Sequence, residues 1–408
     1  MQPLAGRRFW FVGIGGAGMS ALALVAHEWG AEVAGSDRAH SSYVERLETA
    51  GIQVAIGHDA DQVPEDAEVV VSSAIASDNP EVEVTRARGT RTRMRAELLA
   101  ELVELRPSIV VAGAHGKTTT TGMIAFVLDR LGRDPAFLIG GEIPQLGGNA
   151  RAGEGWLVSE GDESDRSLEL LRPRIAVLTN VELDHHATFA SEAEVRELFE
   201  RWLASASATV RGDELEPVRL PLAVAGEHNR RNAAAALAAL ELAGVGREEA
   251  ERLLTEFTGA GRRFELRGEA NGVRVFDDYA HHPREVAATL AAARSAVDGG
   301  RLLVAFQPHL FSRTRHLAYE LGRALAAADS VAVTAVYAAR EEPVPGVDGK
   351  LVVDALVAER PGMPVAWTPE LEDAVRFLAR RARPGDIVLT IGAGDVERAG
   401  PLLLRELT

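Results

Sequence analysis

Short apolar runs bounded by glycine alternate with helical patterns along almost the whole chain, the order expected of strands and helices laid down in parallel α/β layers. The pattern opens with a strand at Arg8 to Val12, followed by an apolar run at Glu68 to Val71 and a helix from about Met94 to Leu105. It restarts with a strand at Ser108 to Ala112 that runs into a glycine turn. Apolar runs at Trp156 to Val158 and Ile175 to Leu178 follow, then an alanine-rich helix at Ala233 to Leu242. From about Arg262 strand and helix repeat four or five times, with strands near Val273 to Phe276, Arg301 to Phe306, Ser330 to Thr334 and Asp386 to Ile391. Breaks at Arg106-Pro107 and at Gly259-Ala260-Gly261 divide the chain into three blocks, 1–106, 107–260 and 261–408.

The length of 408 residues agrees with two or three domains of roughly 150 residues each. Hydrophobic residues make up 46% and charged ones 25%, an ordinary globular balance. With 60 Asp and Glu against 44 Lys and Arg, the net charge of −16 argues against a nucleic-acid partner held by its phosphate backbone. Anionic small substrates then need local basic or Mg²⁺-filled sites. The absence of cysteine excludes disulfides, thiolate zinc sites and cysteine nucleophiles. No apolar run reaches the roughly 18 residues of a membrane span, and no signal-peptide pattern opens the chain. The expectation is a soluble cytoplasmic protein with no membrane partner.

Gly13-Ile14-Gly15-Gly16-Ala17-Gly18 follows the first strand and opens a helix, so backbone N–H groups and the helix dipole can face a pyrophosphate. Asp37 ends the next strand, where a ribose hydroxyl partner sits in dinucleotide-binding folds. On this motif alone a nicotinamide cofactor stays open. Ser72-Ser73 lie at the same sheet edge. Gly113-Ala114-His115-Gly116-Lys117-Thr118 is a phosphate loop shorter than the usual spacing, with Lys117 as a point charge and the Thr118 hydroxyl able to ligate Mg²⁺. Only Lys117 and Lys350 are lysines, in a chain otherwise supplied with arginine. A compact ammonium at the loop therefore does what a planar guanidinium would not.

Glu160, Asp162, Glu163 and Asp165 crowd the end of one strand and call for a cation. Thr179-Asn180 through Asp184-His185-His186 follows another, and a neutral imidazole beside carboxylates suits a hydrated Mg²⁺. Asn229 and Asn232 share one helical face, unless one of them caps the helix. Asp277-Asp278-Tyr279 with His281-His282-Pro283, and Gln307-Pro308-His309 with Arg313 and Arg315, again sit between strand and helix. An arginine at a helix start opposes the dipole, so a carboxylate ligand would relieve it, and Arg313 is favoured over Arg315.

In this order the motifs resemble those of the Mur ligases. The resemblance rests on Gly13 to Ser20, Gly116-Lys117-Thr118-Thr119-Thr120-Thr121, Glu160 with Asp162 to Asp165, and Thr179-Asn180 with Asp184-His185. It continues through His228-Asn229 with Asn232, Gly261-Arg262-Arg263-Phe264, Asp277 to Pro283 and Phe306 to His309, and so spans nearly the whole chain. It implies a UDP-sugar-binding Rossmann-like domain at 1–106, a central P-loop-type ATPase domain with a parallel sheet at 107–260, and a Rossmann-like domain at 261–408 that closes on ATP and brings the amino acid. Gly15, Gly16, Ala17, Gly18, Met19, Asp37 and Ser73 would contact the uridine diphosphate, with His58 a further candidate. Gly113, His115, Gly116, Lys117, Thr118 and Thr119 would bind ATP, together with Asn229, Asn232, Arg263, Asp278 and Tyr279. Thr118, Glu160 and His185 would hold two Mg²⁺ ions, with Lys117, Glu160 and His185 catalytic. His281, His309 and Arg313 would form the amino-acid side.

The implied reaction is ATP-dependent joining of L-alanine to the lactyl carboxylate of UDP-N-acetylmuramate through an acyl phosphate, by a monomer or homodimer. The nearest alternatives are a ligase that recycles a preformed tripeptide and a non-catalytic UDP-sugar-binding homologue. An oxidoreductase would leave the phosphate loop idle. Between Phe189 and Gly226 the chain is several tens of residues shorter than the family leads one to expect, so part of a small peripheral sheet should be missing. With no lysine between Lys117 and Lys350, the carbamylated lysine of some relatives has no counterpart unless Lys350 reaches the site.

Overall fold

The computed structural model describes residues 2–183, 188–339 and 341–408, which form three α/β domains with one sheet each. In the N-terminal domain β1 (Arg8–Val12), β2 (Glu32–Asp37), β3 (Gln53–Ile56), β4 (Glu68–Val71) and β5 (Thr92–Met94) pair in parallel in the order β3-β2-β1-β4-β5. They alternate with α1 (Ala17–Glu28), α2 (Ser42–Thr49), α3 (Pro80–Arg88) and α4 (Arg95–Leu105). The chain steps outward from β1 to β3 and then returns to place β4 on the other side of β1. The crevice above β1 and β4 is thus the topological switch point, where such sheets bind ligands.

The central sheet runs β11-β10-β6-β9-β7-β8. Its strands are β6 (Ser108–Ala112), β7 (Ala136–Ile143), β8 (Gly148–Arg151), β9 (Leu157–Glu160), β10 (Ile175–Leu178) and β11 (Ala208–Arg211). Four helices belong to it: α5 (Lys117–Arg130), α6 (Glu192–Leu203), α7 (Glu227–Leu242) and α8 (Arg247–Leu254). The C-terminal sheet, in the order β12-β13-β17-β14-β15-β16, contains β12 (Glu265–Ala270), β13 (Val273–Asp278), β14 (Leu302–Phe306), β15 (Ser330–Val333), β16 (Val365–Trp367) and β17 (Ile387–Ile391). Its helices are α9 (Pro283–Ala296), α10 (Phe311–Leu325), α11 (Lys350–Glu359), α12 (Leu371–Ala379) and α13 (Ala399–Glu406).

Strands covered on both faces, such as β6, β10, β14 and β17, are buried at every position, which is why they read as unbroken apolar runs. Two strands depart from the parallel expectation. β8 is antiparallel to β7, and β12 is antiparallel to β13. β14 and β17 each begin one residue later than the pattern suggests, because Arg301 and Asp386 leave the strands and pair with each other at 2.7 Å. Between β11 and α7 the chain makes one short 3-10 turn, Gly212–Glu214, and no strand.

The first two domains form one compact unit, and the chain from Gly261 forms a second. Within the first unit α1 packs against β7 and β8. Arg46 donates to Asn149 Oδ1 at 2.9 Å, and Asn149 Nδ2 donates to the Ala17 carbonyl at 3.2 Å. A single apolar cluster runs from Phe11, Leu22 and Leu102 through Leu138 to Phe199 and Trp202. No helix among the described residues is long and apolar enough to cross a membrane.

Candidate active site

In the N-terminal domain Gly16 caps α1, so the free N–H groups of the first turn open from the end of β1. Asp37, at the end of β2, accepts from Gly15 N at 2.8 Å. A side chain at Gly15 would meet Val44 Cγ2 at 2.8 Å and the Asp37 carboxylate, which explains the glycine. Met19 is buried in the first turn of α1, whereas Ser73 is exposed in the loop after β4. His58 is half-buried after β3, against Ser36 and Glu81. Arg95, at the start of α4, lies beside Gly18 and 3.6 Å from Asp162.

The phosphate loop joins β6 to α5. Gly113 (φ 133°) and Gly116 (φ 83°) both adopt left-handed backbone, and each also lacks room for a side chain. A Cβ on Gly113 would lie 2.2 Å from Thr179 Oγ1, and one on Gly116 would lie 2.3 Å from Asn232 Oδ1. The loop is pinned from β10: Asn180 Oδ1 accepts from His115 N at 3.0 Å, while Asn180 Nδ2 and Thr179 Oγ1 donate to the His115 carbonyl at 2.9 and 2.6 Å. His115 Nε2 also meets Glu182 at 2.8 Å.

Lys117 Nζ donates to the Gly113 carbonyl at 2.5 Å and to Glu163 at 3.1 and 3.2 Å. Burial alone would lower its pKa, but the carboxylates of Glu163, Asp162 and Glu160 together raise it, so the ammonium stays charged. Asp162 is the converse case. Burial pushes its pKa up, and the Lys117 charge, hydrogen bonds from Ser164 and the charge of Arg95 bring it below the usual range. The acidic run thus meets a cation supplied by the chain itself. Glu160 Oε1 accepts from Gly140 N at 2.6 Å, and a Cβ on the next residue, Gly141, would touch the Thr118 methyl at 3.2 Å. Adjacent glycines of β7 therefore leave space beside both oxygen-bearing side chains. His185 lies outside the described residues.

Asn229 and Asn232 share one face of α7, with Asn232 Nδ2 donating to Asn229 Oδ1 at 3.2 Å. Gly226 occupies the N-cap position, which removes the capping alternative for either asparagine. The amide of Asn232 is buried under the phosphate loop instead.

Arg263, Asp278 and Tyr279 belong to the second unit. Asp278 accepts from Phe264 N and Ala280 N, both at 2.8 Å, and Arg262 and Arg263 lie over the Tyr279 ring at 5.2 and 5.4 Å. Burial pushes the Asp278 pKa up to about 6, against the charge of Arg263 and the two amides. An acid that binds its proton more tightly when folded stabilises the fold at low pH, and this contribution is lost as pH rises through the folded pKa. Asp278→Asn should therefore flatten the fall in stability between about pH 4 and pH 7 by on the order of 2–3 kcal/mol. Calorimetry of both proteins across this range checks it; parallel curves would refute the assignment.

At the start of α10, Arg313 is 5% exposed and donates to His309 Nδ1 at 2.9 Å. A guanidinium only donates, so a neutral His309 carries its proton on Nε2. His309 stacks on Tyr337 with 5.9 Å between centroids, and the His281 ring lies 5.5 Å from the His309 ring. Arg315 is exposed.

Three family models cover the chain in order. The Mur ligase family catalytic domain matches residues 8–106, the Mur ligase middle domain residues 111–209, and the Mur ligase glutamate ligase domain residues 262–394. This chain belongs to the Mur ligase family. A UDP-N-acetylmuramate–L-alanine ligase of Thermobifida fusca is 42% identical over 459 positions, covering 98% of this chain and 96% of the relative. One from Streptomyces coelicolor is 43% identical and covers 100% and 99%. Among solved structures, the UDP-N-acetylmuramate-alanine ligase MurC of Thermotoga maritima superposes with a TM-score of 0.84 at 27% identity, covering 98% of both chains. A murein peptide ligase of Psychrobacter arcticus reaches 0.70 at 25% identity, covering 98% and 99%. An alignment of 459 positions exceeds the 408 residues here, so the relative carries several tens of positions that this Mur ligase lacks.

Lys350 pairs with Asp354 at 2.7 Å on the exposed surface of α11. Motif reading of this Mur ligase missed Arg95 and Tyr337. Arg95 carries the same signal that singled out Arg313, a cation in the first turn of a helix. Tyr337 had no motif, because a lone aromatic after a strand gives no sign that it will stack on a histidine 28 positions earlier in the chain.

Proposed function

We propose that the chain ligates L-alanine to UDP-N-acetylmuramate with ATP as co-substrate, in cytoplasmic synthesis of peptidoglycan precursors. The full-length identity of 42–43% to UDP-N-acetylmuramate–L-alanine ligases carries this reading, and it favours alanine over a preformed peptide. The lactyl carboxylate attacks the γ-phosphorus: a C–O–P bond forms, the bond to the ADP oxygen breaks, and an acyl phosphate results. The alanine amine then attacks the acyl carbon, loses a proton and expels phosphate. Carboxylate and γ-phosphate are both anionic, so the work of the protein is neutralisation and alignment.

We assign Lys117 to the phosphates and the N–H groups of Gly15 to Met19 to the pyrophosphate of the nucleotide sugar, with Asp37 on its ribose. The phosphate loop, Asn229 and Asn232 take ATP, joined by Arg263, Asp278 and Tyr279; His281, His309 and Arg313 take the amino acid. Thr118 and Glu160 are hard oxygen donors next to the open backbone of β7, a set that fits Mg²⁺. Bound there, Mg²⁺ would supply charge neutralisation to the phosphates. Glu160→Ala should raise the Mg²⁺ concentration for half-maximal rate by at least about tenfold and lower kcat, measured by Mg²⁺ titration. Wild-type Mg²⁺ dependence would remove Glu160 from the site. The reading as a whole is tested by ADP and phosphate release, which should require UDP-N-acetylmuramate and L-alanine together; faster turnover with a tripeptide would favour the recycling ligase.

A further inference from the structure

A polar cluster inside the N-terminal domain goes unused by the assignments above. Glu81, in the first turn of α3, is fully buried, yet it reaches across β1 to the far half of the sheet. Ser36 Oγ donates to Glu81 Oε2 at 2.6 Å, Trp10 Nε1 points at the same oxygen from 3.4 Å, and Asp59 N meets Oε1 at 3.3 Å. Groups of fixed polarity around this carboxylate are therefore donors, and it accepts. Ser36 has one proton, committed to Glu81, so Ser36 Oγ is an acceptor toward His58 Nδ1, 3.0 Å away. Nδ1 thus carries the imidazole proton and Nε2 presents a lone pair. Nε2 makes no hydrogen bond among the described residues, and the ring is 22% exposed.

We infer that Ser36 and Glu81 are positioning residues that lock His58 with Nε2 as an acceptor, and that this acceptor reads the imide N3–H of uracil. The inference rests on the proposal that this domain binds a uridine nucleotide and deepens it. The order of strands supports the placement. The pyrophosphate turn follows β1, Asp37 ends β2, and His58 follows β3, with Gly57 N bonded to the Asp37 carbonyl at 2.8 Å. Neighbouring strands are about 4.8 Å apart. A nucleotide laid across these three ends places phosphate, ribose and base in the sequence in which they are bonded. Cytosine has a lone pair at N3 where uracil has a proton, so the locked tautomer favours one base and repels the other.

The test uses the full chain with UDP and CDP as probes. Calorimetry should find UDP bound at least about tenfold more tightly than CDP, because a site built around a buried polar partner rejects the analogue lacking the proton. Ser36→Ala and Glu81→Gln should each erase most of that ratio, by weakening UDP more than CDP. Histidine ¹⁵N spectra of the wild type, which need no variant to fold, should show neutral His58 protonated at Nδ1. A His58 protonated at Nε2, or a UDP to CDP ratio unchanged in both variants, would overturn the relay while leaving uridine binding intact. Failure of the wild type to bind UDP at all would overturn both the relay and the nucleotide reading of the domain.

Discussion

Lys117→Ala is expected to lower ATP turnover by at least about 10²- to 10³-fold, the scale of losing one preorganised electrostatic contact to developing charge. Binding of UDP-N-acetylmuramate should stay near wild type, and it doubles as a check on the fold because Lys117 and the residues proposed for the nucleotide sugar lie in one compact unit. The substitution also leaves Glu163, whose side chain is 4% exposed, without its ammonium. Breaking a buried pair in this way costs about 3–5 kcal/mol. Adding Glu163→Gln should therefore restore melting temperature without restoring turnover, which separates the catalytic loss from the structural one. Lys117→Arg should not rescue. The glycine carbonyl at 2.5 Å and the close-set loop leave no space for a planar fork. Near-normal activity of the arginine variant would defeat the assignment.

The second large effect is expected at Arg313. Its burial sets aside a solvated surface arginine, and its contact with His309 places it beside a group of rings that includes His281, His309 and Tyr337. A free amino acid presents a carboxylate, for which a guanidinium is the natural bidentate partner. Losing a charge-assisted pair of about 2–3 kcal/mol raises the KM for alanine by roughly 30- to 150-fold. The KM values for ATP and UDP-N-acetylmuramate should move far less. His309→Ala should shift alanine in the same direction, by a smaller factor. Steady-state measurement of all three constants decides the matter: an equal rise in all three, or an unchanged alanine value, would put the amino-acid site elsewhere.

What the sequence made legible was whatever burial writes into composition. β6, β10, β14 and β17 are apolar at nearly every position because helices cover both faces, and the loops at their carboxyl ends stand out by contrast. Lys117 stood out because lysine is otherwise almost absent. β12, by contrast, alternates neither strictly nor apolarly, since most of it faces outward and its partner is met through a bulge. The Ser36, Glu81 and His58 cluster was hidden for another reason. Its members stand 22 residues apart or more, on a strand, a helix and the connection after another strand, and only the closing of the sheet makes them neighbours.

The seam between the first two domains has a consequence for how this chain can be divided. α1 begins at the glycine turn, covers β7 and β8 with its apolar side, and contributes Leu22 to a cluster that ends at Trp202. A cut at residue 106 would leave both halves with a raw hydrophobic face, at about 25 cal/mol for every Å² newly wetted. A cut at residue 260 severs no such seam within the first unit. The first two sheets are thus one heritable part: in any shuffling of segments among relatives they would have to travel together.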